Sequence, residues 1–415
     1  MAVQTQPKLD VRKLRADFAV FGDLTNGKPV AYLDSASSTQ KPRQVLDAMR
    51  TFYEHSYANV HRGVYTLAED ATAGYEGARE KVRAYINAPS NREVIFTRSS
   101  TEALNLIAYA WGLDNLGPGD VVVVTELEHH ANFVPWQFIA KRTGATFAHI
   151  PIDDLGELQL DSLDEIAKRG NIKVVANNLV SNTLGTINPV EKLAVWAHEH
   201  GAIMVVDAAQ AAPHRPIDVQ ALGCDFLAFS SHKVCGPTGA GALWGRRELL
   251  EEMQPFNFGG EMIRSVSLDR TSWNELPYKF EAGTPAIAEA YGFGIALDYV
   301  SEVGLEAIER HEHELVVHAM EQLSEIPGLR IFGPPAERRT GIVSFELGNV
   351  HPHDVAQILN WEGVAVRAGH HCTQPLMTRL GVAATTRASF YLYTLPEDID
   401  RLIAGLLKVR ETFGT

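Results

Sequence analysis

Residues able to do chemistry gather around a lysine at the tip of an apolar strand pattern. Residues 225–229 predict a strand leading into Ser230-Ser231-His232-Lys233, and a following Gly-Pro turn stops helix propagation. Asp207 ends a second apolar pattern, residues 202–206. Pyridoxal phosphate chemistry uses such a pair, because a lysine forms the Schiff base and an aspartate keeps the pyridine nitrogen protonated. The alternative is an edge lysine and a strand-end acid in an ordinary α/β protein, but the Ser-Ser-His-Lys tip favours the cofactor site.

A phosphate cradle is predicted where hydroxyl residues precede an apolar helix pattern. Ser99 and Glu102 have capping-box spacing, and Ser100 and Thr101 lie between them. The free N–H groups and the positive dipole end of a helix N-terminus attract anions. Alone this signal is weak, since most capping boxes only cap a helix. Further donors are predicted beside the lysine: Ser230 and His232.

Other polar residues follow predicted strands at the same edge. His129 follows the strand pattern 121–124, where its flat ring can stack on a pyridine and move protons. The alternatives for His129 and His130 are surface positions or a metal pair, and adjacent histidines do not share a helix face, so we predict no metal site. Gln210 is predicted to donate to the cofactor's phenolic oxygen, and Asn182 to reach cofactor or substrate.

A cysteine lies in a polar loop near the C-terminal end. Cys372 is flanked by histidines within residues 367–375, and nearby cations favour its thiolate form. Arg387 can bind an α-carboxylate through two parallel hydrogen bonds. The alternative, a buried packing thiol, suits Cys224 and Cys235 better, because their surroundings are apolar or turn-like.

Composition favours a small-molecule enzyme or a protein with protein partners. The 415 residues predict two or three domains, and 21% charged with 45% hydrophobic residues is a soluble, globular composition. A formal net charge of −14 disfavours nucleic-acid and anionic-membrane binding. Three scattered cysteines indicate a reducing compartment, and no apolar signal region is visible, so we expect the cytoplasm.

The elements that must position these residues alternate between strands and helices. Apolar strand patterns occur at 30–34, 93–97, 121–124, 145–150, 174–178, 202–206 and 225–229. Helical patterns separate most of them, among them one at 136–143. Strands that are apolar on both faces predict a largely parallel sheet covered on both sides. Ligands in such sheets bind beyond the carboxyl ends of the strands.

The pattern changes after about residue 290. One long helix is predicted at 291–324, followed by strands at 329–332 and 342–347 and helices at 354–362 and 397–412. We predict a large cofactor-binding domain of residues 30–290, and a small α/β domain of residues 1–29 and 291–415 that carries the cysteine loop.

Together these motifs resemble the SufS-type, or group II, cysteine desulfurases. These are fold-type I pyridoxal phosphate enzymes of the aminotransferase class V group. The resemblance runs from about Ala31 to the C-terminus, and its short cysteine segment is closer to SufS than to the IscS/NifS branch. It implies a homodimer whose large domain has a mostly parallel seven-stranded sheet, with a smaller C-terminal α/β domain. The motifs are residues 57–63, 128–132, 207–210, 230–233 and 367–372.

The resemblance implies a role for each matching residue. Lys233 is the Schiff-base lysine, Asp207 the pyridinium partner, His129 the stacking and catalytic imidazole, Cys372 the sulfur acceptor and Arg387 the carboxylate clamp. The implied phosphate ligands are Ser100, Thr101, Ser230 and His232, with Thr284 from a second subunit. The implied substrate contacts besides Arg387 are Asn182, Arg367 and His61. One departure is Ser99, where many relatives have glycine.

The implied activity converts L-cysteine to L-alanine and leaves a persulfide on Cys372 for iron–sulfur cluster assembly. The implied acceptor is a SufE-like protein or a zinc-binding SufU-like one, for which His353 matches the residue that replaces a cysteine on the acceptor's zinc. Alternatively, His353 caps the helix predicted from Asp354, or lies in a solvated turn.

Two other function classes stay open. A selenocysteine lyase, another β-eliminating lyase or an aminotransferase would share every feature except dependence on Cys372, and L-selenocysteine is the alternative substrate. A non-catalytic scaffold that only binds partners is disfavoured, because the residues of the proposed chemistry are all present.

Overall fold

A computed structural model describes residues 9–414. Its α-helices are α1 (Val11–Arg15), α2 (Arg43–His55), α3 (Thr66–Tyr85), α4 (Ser100–Ala110), α5 (Gly112–Asn115), α6 (His130–Thr143), α7 (Leu163–Ala167), α8 (Val190–Glu199), α9 (Val219–Leu222), α10 (Arg247–Glu252), α11 (Ile287–Val303), α12 (Leu305–Ser324), α13 (Pro352–Trp361), α14 (Gln374–Leu380) and α15 (Pro396–Phe413). Its strands are β1 (Leu24–Thr25), β2 (Lys28–Pro29), β3 (Ala31–Tyr32), β4 (Val94–Thr97), β5 (Asp120–Thr125), β6 (Thr146–Ile150), β7 (Asn171–Asn178), β8 (Ile203–Asp207), β9 (Phe226–Ser230), β10 (Gly241–Gly245), β11 (Ile263–Val266), β12 (Thr271–Trp273), β13 (Leu329–Phe332), β14 (Ile342–Leu347), β15 (Val364–Ala365), β16 (Arg367–Gly369) and β17 (Thr385–Ser389).

The predicted seven-stranded, mostly parallel sheet is confirmed. Its order is β4-β10-β9-β8-β7-β5-β6, and only β10 runs antiparallel to its neighbours. Alternate residues of β5 enter two separate cores: Val121 and Val123 pack on one face, and Val122 and Val124 on the other. A strand buried on both faces needs an apolar side chain at nearly every position, which explains the continuous patterns in the sequence.

This topology brings the polar strand ends to one edge. Asp207 and Ser230 end the neighbouring strands β8 and β9. Because β10 is antiparallel, it begins at the same edge, where Gly241 lies opposite both Ser230 and Thr97. The chain leaves β4 at Thr97 and enters α4 at Ser100, so the N-terminus of α4 faces the edge that carries Asp207.

A second, antiparallel sheet of order β13-β14-β17-β16 has its own core. The N-terminal segment packs on this C-terminal region: β3 pairs with β15, and Arg15 forms an ion pair with Asp398 at 2.6 Å. These contacts support a small domain built from both ends of the chain. The boundaries at residues 30 and 290 stay a prediction, and residues 1–8 and 415 lie outside the described chain.

Two element predictions were wrong. The single helix predicted at 291–324 is two helices, α11 and α12, because Gly304 has a φ of +90° and breaks the helical backbone between them. The strand predicted at residues 30–34 is only the two-residue β3. No helix among residues 9–414 is long and apolar enough to cross a membrane.

Candidate active site

A cavity of about 710 Å³ opens at the carboxyl edge of the large sheet and reaches the second sheet. This volume is in the range of small-molecule and cofactor sites. Most of the residues predicted for the site line it: Ser100, Thr101, His129, Asn182, Asp207, Gln210, Ser230, His232, Lys233, Arg367, Cys372 and Arg387. Thr284 and His61 do not line it.

The amine and the carboxylate predicted to face a cofactor both lie in this cavity. Asp207 is only 5% exposed, and its Oδ1 accepts a hydrogen bond from the Ala209 N–H at 2.9 Å. Burial raises the pKa of the Asp207 carboxyl, and the charge of Lys233 opposes that rise. Burial also lowers the pKa of Lys233 to about 8, with Asp207 opposing and Arg387 reinforcing the change. Lys233 is therefore close to the balance between amine and ammonium that a nucleophile needs.

The backbone before Lys233 is held by residues that the sequence did not single out as functional. The His232 carbonyl accepts hydrogen bonds from the Thr39 N–H at 3.0 Å and from Lys41 Nζ at 3.0 Å. The Ser38 hydroxyl donates to the same oxygen at 3.2 Å. This convergence fixes the peptide plane from which the Lys233 side chain enters the cavity.

The predicted helix N-terminus is present and is tied to the lysine strand. Ser99 caps α4, since its Oγ accepts from the Glu102 N–H at 3.4 Å, but the Glu102 carboxylate accepts from the Arg98 N–H rather than completing the capping box. The Ser100 N–H donates to Ser230 Oγ at 2.8 Å, and the two hydroxyls lie 2.9 Å apart. Backbone donors, hydroxyls and a helix dipole thus converge in the way that a phosphate requires.

His129 is a neutral imidazole with a defined tautomer. Its Nδ1 accepts from the Ala131 N–H at 3.0 Å, which leaves the ring proton on Nε2. Burial lowers the pKa of His129 to about 3, and the charge of Lys233 adds to that effect. The ring is available for stacking without adding a second cation beside Lys233.

Glu128 is a functional candidate that the sequence reasoning did not assign, although it lies in the quoted 128–132 motif. It is 1% exposed and accepts from the Thr125 hydroxyl at 2.6 Å, Asn132 Nδ2 at 2.7 Å and the Asn178 N–H at 3.0 Å. Burial raises the pKa of Glu128 to about 7. This buried network connects β5, α6 and β7 at the residue that precedes His129.

Cys372 is an exposed thiol on a tightly held backbone. Its N–H donates to His370 Nδ1 at 3.1 Å, and its carbonyl accepts from the His130 N–H at 2.8 Å. Cys372 and His371 both adopt the left-handed conformation, with φ of 58° and 52°. Non-glycine residues hold that conformation only where their surroundings impose it, often at functional sites. Cys224 and Cys235 are buried, as expected for packing thiols.

Arg387 lies at the base of the cysteine loop and is 2% exposed. It donates to the Asn182 carbonyl at 2.7 Å and to the Ser37 hydroxyl at 2.7 Å, and its buried Nε has no partner in the described chain. Burial lowers the pKa of Arg387 to about 10, so it stays cationic at neutral pH. Arg387 Nη2 also lies 3.4 Å from Asp34 Oδ1, and Arg367, directly opposite on β16, donates to the same carboxylate.

The contacts of three predicted site residues, Gln210, His61 and Thr284, do not by themselves give them a role in binding cofactor or substrate. Gln210 Nε2 already donates to the Ala36 carbonyl at 2.6 Å, while its buried Oε1 has no partner in the described chain. His61 Nε2 lies 2.9 Å from Glu76 Oε1, and the exposed Thr284 lines a different cavity with Arg98. Any contact of His61 or Thr284 with a cofactor site would have to be made in a second subunit.

The residues in the cavity fit pyridoxal phosphate. A cradle of hydroxyls and helix N–H groups suits its phosphate, and the buried Asp207 suits a protonated pyridine nitrogen. The buried and unpartnered Gln210 Oε1 and Arg387 Nε indicate that polar ligand groups belong in the cavity. Residues 9–414 contain no group of three or more His, Cys, Asp or Glu side chains arranged to hold a metal ion.

Comparisons with known proteins agree with this geometry. Residues 31–402 match the family model described as aminotransferase class-V. The chain is 52% identical over 406 residues to a probable cysteine desulfurase of Halalkalibacterium halodurans, covering 98% of this chain and 99% of the relative. It is 49% identical to a cysteine desulfurase of Haloferax volcanii over the full length of both. The crystal structure of the cysteine desulfurase CsdA of Escherichia coli superposes with a TM-score of 0.90 at 37% identity, covering 98% of this chain and all of that one.

Proposed function

The chain belongs to the aminotransferase class-V family and, within it, to the cysteine desulfurases, and from this premise we propose that it converts L-cysteine to L-alanine. The sulfur is taken up as a persulfide on Cys372. The observation that carries the proposal is the exposed Cys372 thiol, which lines the same cavity as Lys233 and Arg387. A β-eliminating lyase needs the lysine and the arginine but has no use for a thiol held there.

The cofactor would be held by residues at the carboxyl edge of the large sheet and at the N-terminus of α4. When bound, pyridoxal phosphate supplies an electron sink for the substrate's Cα. Ser100, Thr101, Ser230 and His232 would hold its phosphate. Asp207 would pair with its pyridine nitrogen, and the neutral His129 ring would cover its face.

The protein's own groups would then carry the sulfur transfer. Arg387 binds the substrate carboxylate, and Lys233 as a free amine removes the Cα proton. The Cys372 thiolate attacks the substrate sulfur, so that an S–S bond forms and the C–S bond breaks. The electron pair of the broken bond stays with the substrate Cβ, which takes up a proton to become the methyl group, and the protonated Lys233 returns a proton to Cα to complete alanine.

Removing the thiol tests this proposal. The variant Cys372→Ala keeps Lys233 and Arg387, so it should bind L-cysteine with a normal spectral change, while alanine release should fall by about two orders of magnitude or more. Cys372→Ser is the matched control, because its hydroxyl keeps the size but cannot hold a persulfide, and it should be equally inactive. Alanine release at a near wild-type rate from either variant would favour a lyase.

The finer assignment within the family is also a proposal. A short cysteine segment, ordered by His130 and His370, supports the SufS-type group II, with iron–sulfur cluster assembly as the destination of the sulfur. The exposed Thr284 and Val64, the latter 94% exposed, support a homodimer in which each subunit completes its partner's site. L-selenocysteine stays the alternative substrate.

The sulfur acceptor is proposed to be a zinc-binding SufU-like protein rather than a SufE-like one. His353 is exposed and lines the mouth of the cavity that holds Cys372. Its expected alternative role as a helix cap is wrong, because His351 caps α13: its Nδ1 accepts from the His353 N–H at 3.2 Å. These observations support the proposal that the His353 imidazole ligates a zinc ion carried by a docked partner.

A further inference from the structure

A second cavity, of about 430 Å³, lies between α12 and the segment that leads into β14. It shares no lining residue with the first cavity. Its inner wall contains Arg339, Thr340 and the paired side chains of His214 and Glu312. None of these residues has a part in the proposed sulfur transfer.

Within the described residues 9–414, Arg339 is a buried cation without an anionic partner. It is 3% exposed, and only its Nε is used, donating to the Pro334 carbonyl at 2.5 Å. Both terminal nitrogens are buried and have no acceptor within residues 9–414. Burial lowers the pKa of Arg339 to about 10, which still leaves it charged at neutral pH. A buried charge is costly unless it is paired, and a guanidinium with both terminal nitrogens unpaired matches a carboxylate.

Neighbouring groups extend this unpaired polar surface. Thr340 Oγ1 and His214 Nε2 are also buried and without partners in the described chain. Glu312 forms no ion pair with Arg339 in the described chain, and its Oε1 instead lies 2.8 Å from His214 Nδ1. The guanidinium packs against the backbone of Gly333, where a Cβ would lie only 3.0 Å from Arg339 Nη2.

The outer wall has the opposite charge. Glu306, Glu309 and Glu337 line the cavity and are exposed or partly exposed, and Glu309 lies 3.4 Å from Arg215. The exposed Arg310 also lines this wall, so carboxylates outnumber cations there. A purely anionic ligand would be repelled by this rim as it approached Arg339. A ligand that has both a carboxylate and an ammonium group can pair with Arg339 on the inner wall and with the glutamates of the outer wall, or rim.

We infer that this cavity binds a small amino-acid zwitterion, with its carboxylate on Arg339 and its ammonium group toward the glutamate rim. The inference does not depend on the proposed reaction. The site is nevertheless linked to the first cavity through the backbone: the Thr340 N–H donates to the Gly185 carbonyl at 3.0 Å, and the same loop carries the Asn182 carbonyl that binds Arg387.

The test is calorimetric titration of glycine into holoenzyme that has been reduced with borohydride. Reduction locks the cofactor on Lys233, so that amino acids can no longer react in the first cavity. Glycine should bind the wild-type chain, and Arg339→Met should weaken binding by about tenfold or more. Arg338→Met is the matched control, because the exposed Arg338 side chain pairs with Glu157 outside the cavity, and it should bind as wild type does.

Titrations with further variants and with acetate separate the possible outcomes. Arg339→Lys keeps the charge but cannot donate two parallel hydrogen bonds to one carboxylate, so it should also weaken glycine binding. It takes the place of Arg339→Met if that variant does not fold. Acetate should bind more weakly than glycine to the wild type, and Glu309→Gln should narrow that difference. No glycine binding, or equal binding by wild type and Arg339→Lys, would mean a water-filled cavity and overturn the inference. Failure of borohydride to fix a cofactor would instead count against the proposed function, and the titration can still be run on the chain as purified.

Discussion

At the scale of single residues, the proposed chemistry depends on a lysine that is easier to deprotonate than usual. An exposed lysine has a pKa near 10.4 and is almost entirely charged at pH 8. Burial lowers the pKa of Lys233 to about 8, so roughly half of it is the neutral amine at that pH.

This shift predicts how the cofactor-free chain captures pyridoxal phosphate. The ammonium form cannot attack the aldehyde, so the capture rate should rise with pH through about 8 and then level off. Stopped-flow absorbance of the bound cofactor between pH 6.5 and 10.5 measures it. A midpoint near 10 would show that Lys233 is not perturbed, and Lys233→Ala serves as the control that should give no capture.

The sequence predicted most of the cavity's polar residues because they come where strands end. The carboxyl ends of parallel strands meet at one edge, so Asp207, Lys233 and His129 could be brought together without knowing the loops. Their supporting partners could not be predicted, because the contacts are between distant parts of the chain. Asp34, for example, holds Arg367 from 333 residues away.

At the scale of elements, the phosphate cradle depends on close packing between α4 and β10. A Cβ at Gly241 would lie 2.7 Å from Ser99 Cα and 2.9 Å from the Phe229 carbonyl oxygen. Real Cβ atoms do not approach backbone atoms so closely, so Gly241→Ala must displace the N-terminus of α4 from Ser230.

The expected result is a loss of cofactor affinity in Gly241→Ala, of about tenfold or more, because hydrogen bonds to a charged phosphate are lost. Equilibrium dialysis of pyridoxal phosphate measures it. Gly77→Ala is the matched control: Gly77 lies within α3 with nothing near its added Cβ, so the helix should be unchanged or slightly stabilised. Equal affinities for the two variants would contradict the packing argument.

Elements with strong apolar periodicity were predicted well, and others were missed for identifiable reasons. β10 has glycine at both ends, and β17 contains Arg387 and several hydroxyl residues, so neither has an apolar strand pattern, although every residue of both is buried. α6 begins at His130, well before the predicted start at Trp136, because His129 supplies a cap that periodicity does not detect.

At the scale of the whole molecule, the cavity mouth is where sulfur must leave. A persulfide needs a thiol acceptor, so turnover by the chain alone should be slow and should rise when an acceptor protein is added. His353→Ala should leave the basal rate unchanged and abolish stimulation by a zinc-loaded SufU-like protein. His200→Ala is the control, since His200 is exposed and does not line the cavity mouth. Full stimulation of His353→Ala would show that His353 has no part in sulfur transfer to the acceptor.

The most direct test of the central claim is a single turnover with L-cysteine in the absence of any acceptor or reductant. We expect one L-alanine per active site and a peptide containing Cys372 whose mass is increased by one sulfur atom, with Cys224 and Cys235 unmodified. Formation of pyruvate and sulfide, or of alanine with an unmodified Cys372 peptide, would contradict it.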